Sequence, residues 1–284
     1  MIYISSSCVK HKKIKDSIQE LVDNGFKNIE LSGGTEYYDG FDEDLLELKN
    51  KYDLNYLCHN YFPPPKEHFV VNLASLNDEI FNKSLEHLIN SLTLSNKLSS
   101  SKFGFHAGFF IDISINHIGK KLSKEDIFDK KKSIKRFCEG FNILQKEFTH
   151  IELYLENNVF SSLNLETYEE INPFMLTNYK EFEELKEFIN FKLLLDIAHL
   201  KVSCQTLGLV FESELSNMIK QTNYLHLSDN DGLQDLNLSI EKESELINIL
   251  KKNDLTNKDI TLEIYSGLND IKNSIEVLQK VYND

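Results

Sequence analysis

The chain has 284 residues, 41% of them apolar and 27% charged: enough for one large barrel, with the composition of a globular protein. A formal net charge of −14 and a single arginine, Arg136, argue against nucleic-acid binding and against docking on anionic membrane, both of which depend on Lys and Arg. No apolar run approaches the roughly 20 residues of a membrane span, residues 1–13 lack a signal-peptide pattern, and Cys8, Cys58, Cys138 and Cys204 form no CxxC pair, so reduced thiols in a cytoplasmic protein are expected.

Ile2–Ser5 reads as a first strand, followed by Ile14, Ile18, Leu21 and Val22 at helical spacing up to Asn24-Gly25. Asn28–Leu31 is a second strand that ends in the loop signal Ser32-Gly33-Gly34, and Leu45, Leu48 and Tyr52 mark the next helix. A third strand, 54–58, runs into His59 and then into the stiff Pro63-Pro64-Pro65. An amphipathic helix over 80–98 leads to a fourth strand, 102–105, which ends in His106. The connection over 107–129 is long, and loops of that length are often functional. A helix over 132–148 precedes a fifth strand, 151–155, ending in Glu156; a second long connection, 157–178, precedes a helix over 179–189.

The sixth strand carries the most informative stretch, 193–199, Leu-Leu-Leu-Asp-Ile-Ala-His. Three consecutive leucines suit a strand buried on both faces, as in a parallel sheet covered by helices. Asp196 and His199 follow at the strand end, where a carboxylate also suits a helix cap. A helix over 211–221 leads to a seventh strand, Tyr224–Leu227, with His226 and Asp229; a loop and a helix over 241–250 lead to an eighth, 260–264, with Glu263. The last helix, 269–282, presents Ile271, Ile275, Leu278 and Tyr282 on one face. Eight strand–helix alternations without a linker imply one α/β domain over 1–284, a parallel sheet closed into a (β/α)8 barrel. The GxGxxG loop of an open doubly wound sheet is missing after the first strand, where Ser5-Ser6-Ser7-Cys8 stands.

In a barrel the strand C-termini ring one mouth. His59, His106, Glu156, Asp196, His199, His226 and Glu263 all fall there, including four of the nine histidines. His11, His68, His87, His117 and His150 are expected to be structural or solvated. Acids and imidazoles converging on one point need a cation between them. Two Glu, one Asp and one His would offer three oxygens and one nitrogen, which favours Mn²⁺ or Mg²⁺ and accommodates Zn²⁺ or Co²⁺. Asp229 reads as a salt bridge or cap, and Lys201 as a candidate charge partner. Tyr61, Phe62, Phe109 and Phe110 are candidates for the pocket wall or for ordinary packing.

The stretches Leu153-Tyr154-Leu155-Glu156-Asn157, 195–199, 224–232 and 261–266 together resemble the xylose-isomerase-like TIM-barrel superfamily, which includes sugar isomerases and epimerases, inosose dehydratases and endonuclease IV. The resemblance implies that Glu156, Asp196, His226 and Glu263 are the shared metal ligands. It matches His59 and His106 to histidines that hold a second metal in endonuclease IV, and His199 and Asp235 to ligands of its third. The remaining third-metal ligand should be a histidine two residues after Asp235; Asn237 stands there, which weakens phosphodiester cleavage as a reading. The implied reaction is sugar isomerisation or epimerisation through a metal-stabilised enediolate, with Glu156 and Glu263 as the proton-transferring pair. His199 and Asp235 are then expected to bind substrate. The alternatives are a dehydratase, a zinc-dependent AP endonuclease, or a barrel that binds a ligand without turning it over. The expected partner is a small carbohydrate, not nucleic acid or membrane, and a homo-oligomer is compatible with the sequence. Specificity is expected in loops 32–42, 107–130 and 157–178.

Overall fold

The computed structural model of the chain describes residues 1–117 and 120–283; Ile118 and Gly119 of the long loop and Asp284 lie outside it, as do the side chains of Tyr282 and Asn283. Eight parallel strands close in sequence order. They are β1 (Ile2–Ser5), β2 (Asn28–Leu31), β3 (Asn55–His59), β4 (Lys102–His106), β5 (Glu152–Glu156), β6 (Lys192–Asp196), β7 (Tyr224–Leu227) and β8 (Asp259–Leu262), with β8 pairing back onto β1. The helices are α1 (Ile14–Asp23), α2 (Phe41–Tyr52), α3 (Asp78–Lys97), α4 (Lys130–Glu147), α5 (Ser162–Thr167), α6 (Tyr179–Lys186), α7 (Ile197–Leu207), α8 (Phe211–Met218), α9 (Glu245–Leu250) and α10 (Leu268–Asn283).

Period-two alternation along each strand separates two cores. Outward residues such as Ile29, Cys58, Phe103, Phe105, Leu155 and Leu225 pack under the helices. Inward residues Tyr3, Leu57, Tyr154, Leu194 and Tyr224 form a separate cluster that plugs the lumen. Gly104 belongs to the same inward layer: a Cβ there would meet Leu194 Cδ2 at 2.6 Å, so β4 supplies no side chain at that level. At the N-terminal end of the barrel the inward residues include charged ones. Lys102 Nζ and the chain's amino terminus both reach the Asp259 carboxylate, at 2.8 and 2.9 Å.

Local chemistry sets the boundaries. Asn77, Asp129, Asn178 and Ser244 each accept a backbone N–H at the start of α3, α4, α6 and α9, so the helix expected over 241–250 begins only after Ser244. Two helices were not expected from hydropathy. α5 lies inside the connection 157–178, and α7 follows β6 without a loop, because the Asp196 side chain caps it by accepting from His199 N at 2.8 Å. α7 stops at Gly208, which takes the left-handed conformation at φ 67°.

Candidate metal centre and active site

The third layer of inward side chains lies at the C-terminal mouth. It contains His59, His106, Glu156, Asp196, His226 and Glu263, and α7 adds His199. Glu156 is at its centre, 1% exposed, and His59 Nε2 lies 2.7 Å from its Oε2. His106 Nδ1 lies 3.2 Å from the same oxygen. On the other side, His226 Nδ1 is 3.3 Å from Glu156 Oε1 and 3.7 Å from Glu263 Oε2. Asp196, His226 and Glu263 come close enough to share an ion, as do His59, Glu156 and His226, and His106, Glu156 and His199. Of the four residues expected as primary ligands, Asp196, His226 and Glu263 form one such group and Glu156 joins it through His226, while His59 and His106 each adjoin Glu156.

The hydrogen bonds show which atoms remain free. Among the described residues, His106 Nδ1, His226 Nδ1 and Asp235 Oδ1 are buried without a hydrogen-bond partner. Buried polar atoms are normally paired, so orphaned lone pairs among carboxylates are what a cation site requires. Asp196 is positioned from both sides: its backbone N–H donates to Asn157 Oδ1 at 2.8 Å, and its carbonyl accepts from Asn157 Nδ2 at 2.9 Å, tying β5 to β6. Asp196 is thus a helix cap as well as a residue of the site. His199 Nδ1 donates to the Asn157 carbonyl at 2.9 Å, which leaves Nε2 facing Asp235 Oδ2 at 3.4 Å.

The electrostatics carry the same imbalance. Burial alone would raise Glu156, yet His106, His59 and His226 hold it well below the ordinary carboxylate range. Asp196 is pushed up to about 7 by burial, with Asp235 and Glu156 adding to the effect against His199. Burial also raises Glu263 and pushes His106 down to about 4. Burial disfavours charge on His226 and His199, but neighbouring carboxylates raise both well above the usual imidazole value: Glu30, Glu263 and Glu156 for His226, Asp196 and Asp235 for His199.

Above this floor a cavity of about 1290 Å³ opens to solvent. Tyr61 and Phe109 line it, whereas Phe62 and Phe110 are core residues, 0% and 5% exposed. Apolar lining comes mainly from the connections after β3, β4 and β5, including Phe69, Val71 and Phe174; Ser7, Gly33, Gln234 and Tyr265 line the opposite side. His11, His68 and His117 stand at this cavity, although nothing in their sequence setting marks them as site residues. Lys201 is not part of it: it binds Asp229 Oδ1 at 2.7 Å and the Asn230 carbonyl at 2.6 Å, so Asp229 is the salt-bridged residue expected. Asn237 donates its amide to Asp235 Oδ2 at 3.3 Å and accepts from Ser228 Oγ at 3.3 Å.

The strand-end argument missed Glu30, the third residue of β2. It is fully buried and faces His226 Nε2 at 3.0 Å. Its sequence signal is a lone carboxylate between Ile29 and Leu31 in a strand that must be buried.

No curated protein matches the sequence. Solved structures of similar fold include a D-tagatose 3-epimerase-like protein, at 18% identity and a TM-score of 0.70 over 99% of this chain and 97% of that one. Endonuclease IV from Thermus thermophilus superposes at 14% identity and 0.62 over 99% and 98% of the two chains. An L-ribulose 3-epimerase superposes at 13% and 0.65 over 97% and 86%. At these identities the likeness establishes the fold. The model of the family described as "xylose isomerase-like TIM barrel" matches residues 18–281, and the chain belongs to that family.

Proposed function

We propose that the protein is a divalent-metal-dependent sugar isomerase or epimerase that moves a proton at the carbon beside a carbonyl. The observation that carries this reading is the approach of two carboxylates, Glu156 from β5 and Glu263 after β8, to one orphaned imidazole nitrogen on the floor of an open cavity. Glu156, Asp196, His226 and Glu263 would hold the ion; His59 and His106, with Glu156, offer a second place. Three oxygens and one nitrogen suit Mn²⁺ or Mg²⁺, and the two-imidazole set accommodates Zn²⁺ or Co²⁺ equally. When bound, the ion supplies Lewis-acid stabilisation of negative charge on substrate oxygens.

The remaining chemistry belongs to the chain. One of Glu156 and Glu263 takes the proton and the other returns one, each acting through an oxygen not engaged elsewhere. His199, fixed through Nδ1–H, and Asp235 bind a substrate hydroxyl through Nε2 and the carboxylate. The apolar wall over β3–β5 and the polar wall opposite suit a sugar with its hydroxyls turned to one side. The structural likeness to epimerases supports a carbohydrate substrate. Asn237 bears on the nuclease reading: it presents an N–H to Asp235 where a third ion would need a lone pair.

The test is solvent deuterium uptake. With Mn²⁺ in D₂O, one member of a panel of ketoses and aldoses is expected to exchange at a single carbon. Glu156→Gln and Glu263→Gln are each expected to slow that exchange by about 10²-fold or more. Cleavage of an abasic-site duplex with no exchange in any sugar would overturn the reading.

A further inference from the structure

Glu30 lies below the mouth in the lumen, on a strand that contributes no other acid to the site. Four donors converge on its carboxylate. Oε2 accepts from the Tyr224 hydroxyl, from Thr261 Oγ1 at 2.9 Å and from His226 Nε2 at 3.1 Å. Oε1 faces His226 Nε2 at 3.0 Å and accepts from Ser32 Oγ at 3.4 Å. All of these groups except Ser32, which is 4% exposed, have no exposed surface. A carboxylate offers about four lone-pair sites, so Glu30 is saturated. Although it lies within sharing distance of His59 and Glu263, it has no lone pair left for an ion.

A carboxylate of this kind can only accept, so the His226 nitrogen between its two oxygens must carry the hydrogen. That fixes the tautomer of the neutral ring. With Nε2–H held by Glu30, Nδ1 is the nitrogen whose proton an ion would displace, and among the described residues Nδ1 is buried, unpartnered and flanked by Glu156 and Glu263. Tyr224 and Thr261, from β7 and β8, clamp the carboxylate so that it cannot swing away. Its aim on the imidazole thus depends on the register of three strands.

We propose that Glu30 is a positioning residue of the metal centre: clamped by Tyr224 and Thr261, it holds His226 as the Nε2–H tautomer and points the Nδ1 lone pair at the ion. The inference rests on the metal-dependent reading above. A carboxylate behind a metal-bound histidine fixes ring orientation and raises ligand basicity, and losing such a partner costs about 10–100-fold in metal affinity.

The test uses Zn²⁺ as probe and the full chain. Zn²⁺ is titrated against a chromogenic chelator into the wild type and Glu30→Gln, which keeps the shape and loses the charge, and melting temperatures of the metal-free proteins are recorded alongside. At least tenfold weaker binding by folded Glu30→Gln is expected; affinities within twofold of each other overturn the proposal, whatever happens to the melting temperature. A wild type that binds no Zn²⁺ overturns the metal-dependent reading and this inference with it. A second measurement needs no variant: ¹⁵N NMR of histidine-labelled, Zn²⁺-loaded wild type should show His226 protonated at Nε2 and ligated through Nδ1. Ligation through Nε2 overturns the proposal.

Discussion

Replacing Gly104 with alanine tests how tightly the lumen plug supports the site above it. Gly104 pairs with His59 on β3 and Tyr154 on β5. An added Cβ would lie 2.6 Å from Leu194 Cδ2, 3.3 Å from His59 Cδ2 and 3.8 Å from Tyr224 Cε1. Carbon atoms rest at about 3.5–4.0 Å, so the Leu194 side chain must retreat by about an ångström. It has nowhere to go, being fully buried in a cluster with Tyr3, Leu57, Tyr154 and Tyr224. The backbone conformation itself admits alanine, and the loss of unfolded-state freedom would by itself stabilise by about 0.4–1 kcal/mol. Overpacking of this kind costs about 1–3 kcal/mol and should win. Urea unfolding followed by circular dichroism is therefore expected to show net destabilisation. The double variant Gly104→Ala/Leu194→Ala relieves the clash and should be less destabilised than the sum of the singles by about 0.5 kcal/mol or more. Because the new methyl also presses on His59, Zn²⁺ affinity should fall in the single variant and recover partly in the double. A neutral single variant, or strict additivity, would refute the idea that Leu194 fills the space Gly104 leaves open.

The two roles of Asp196 should separate in Asp196→Asn. Asparagine caps a helix about as well as aspartate, so metal-free stability should be kept within about 0.5 kcal/mol or rise as a buried charge is removed, while Zn²⁺ binding weakens by at least the 10–100-fold seen for lesser partners; a large loss of stability at unchanged affinity would make it a cap alone. His87 should give a pH signature. Burial lowers its imidazole from 6.5 to about 4, with Nε2 on the Asn60 carbonyl and the rings of Tyr61 and Phe69 against it. Between those values the unfolded chain binds the extra proton, so stability falls as pH drops from 6.5 to about 4 and this contribution levels off below, about 3 kcal/mol in all. Comparing the pH dependence of unfolding in wild type and His87→Gln should show the difference between them shrinking as the pH falls through that window; a constant difference would contradict the assignment.

Much of this molecule follows from order along the chain. Leucine runs ending in acids, and imidazoles after short apolar strands, indicate a closed parallel barrel with its chemistry at one mouth, because strand alternation and βα connectivity are local properties of the sequence. His59, His106, Glu156, Asp196, His226 and Glu263 could be brought to one rim on that basis, since each lies at or beside the C-terminal end of a strand; the family resemblance was needed to single out Glu156, Asp196, His226 and Glu263 as ligands. The side chains that aim those residues could not be found that way. Glu30 and Tyr224 are 194 positions apart and touch only because the barrel's stagger brings β2 and β7 to one level in the lumen. Tyr61 and Phe109 reached the cavity while Phe62 and Phe110 turned into the core, a choice set by packing under the loops. Asp196 turned out to be both cap and site residue, which hydropathy treats as alternatives. Periodicity reports which face a residue occupies; only register and shear across the closed sheet decide which atoms meet there, and hence which lone pairs remain free.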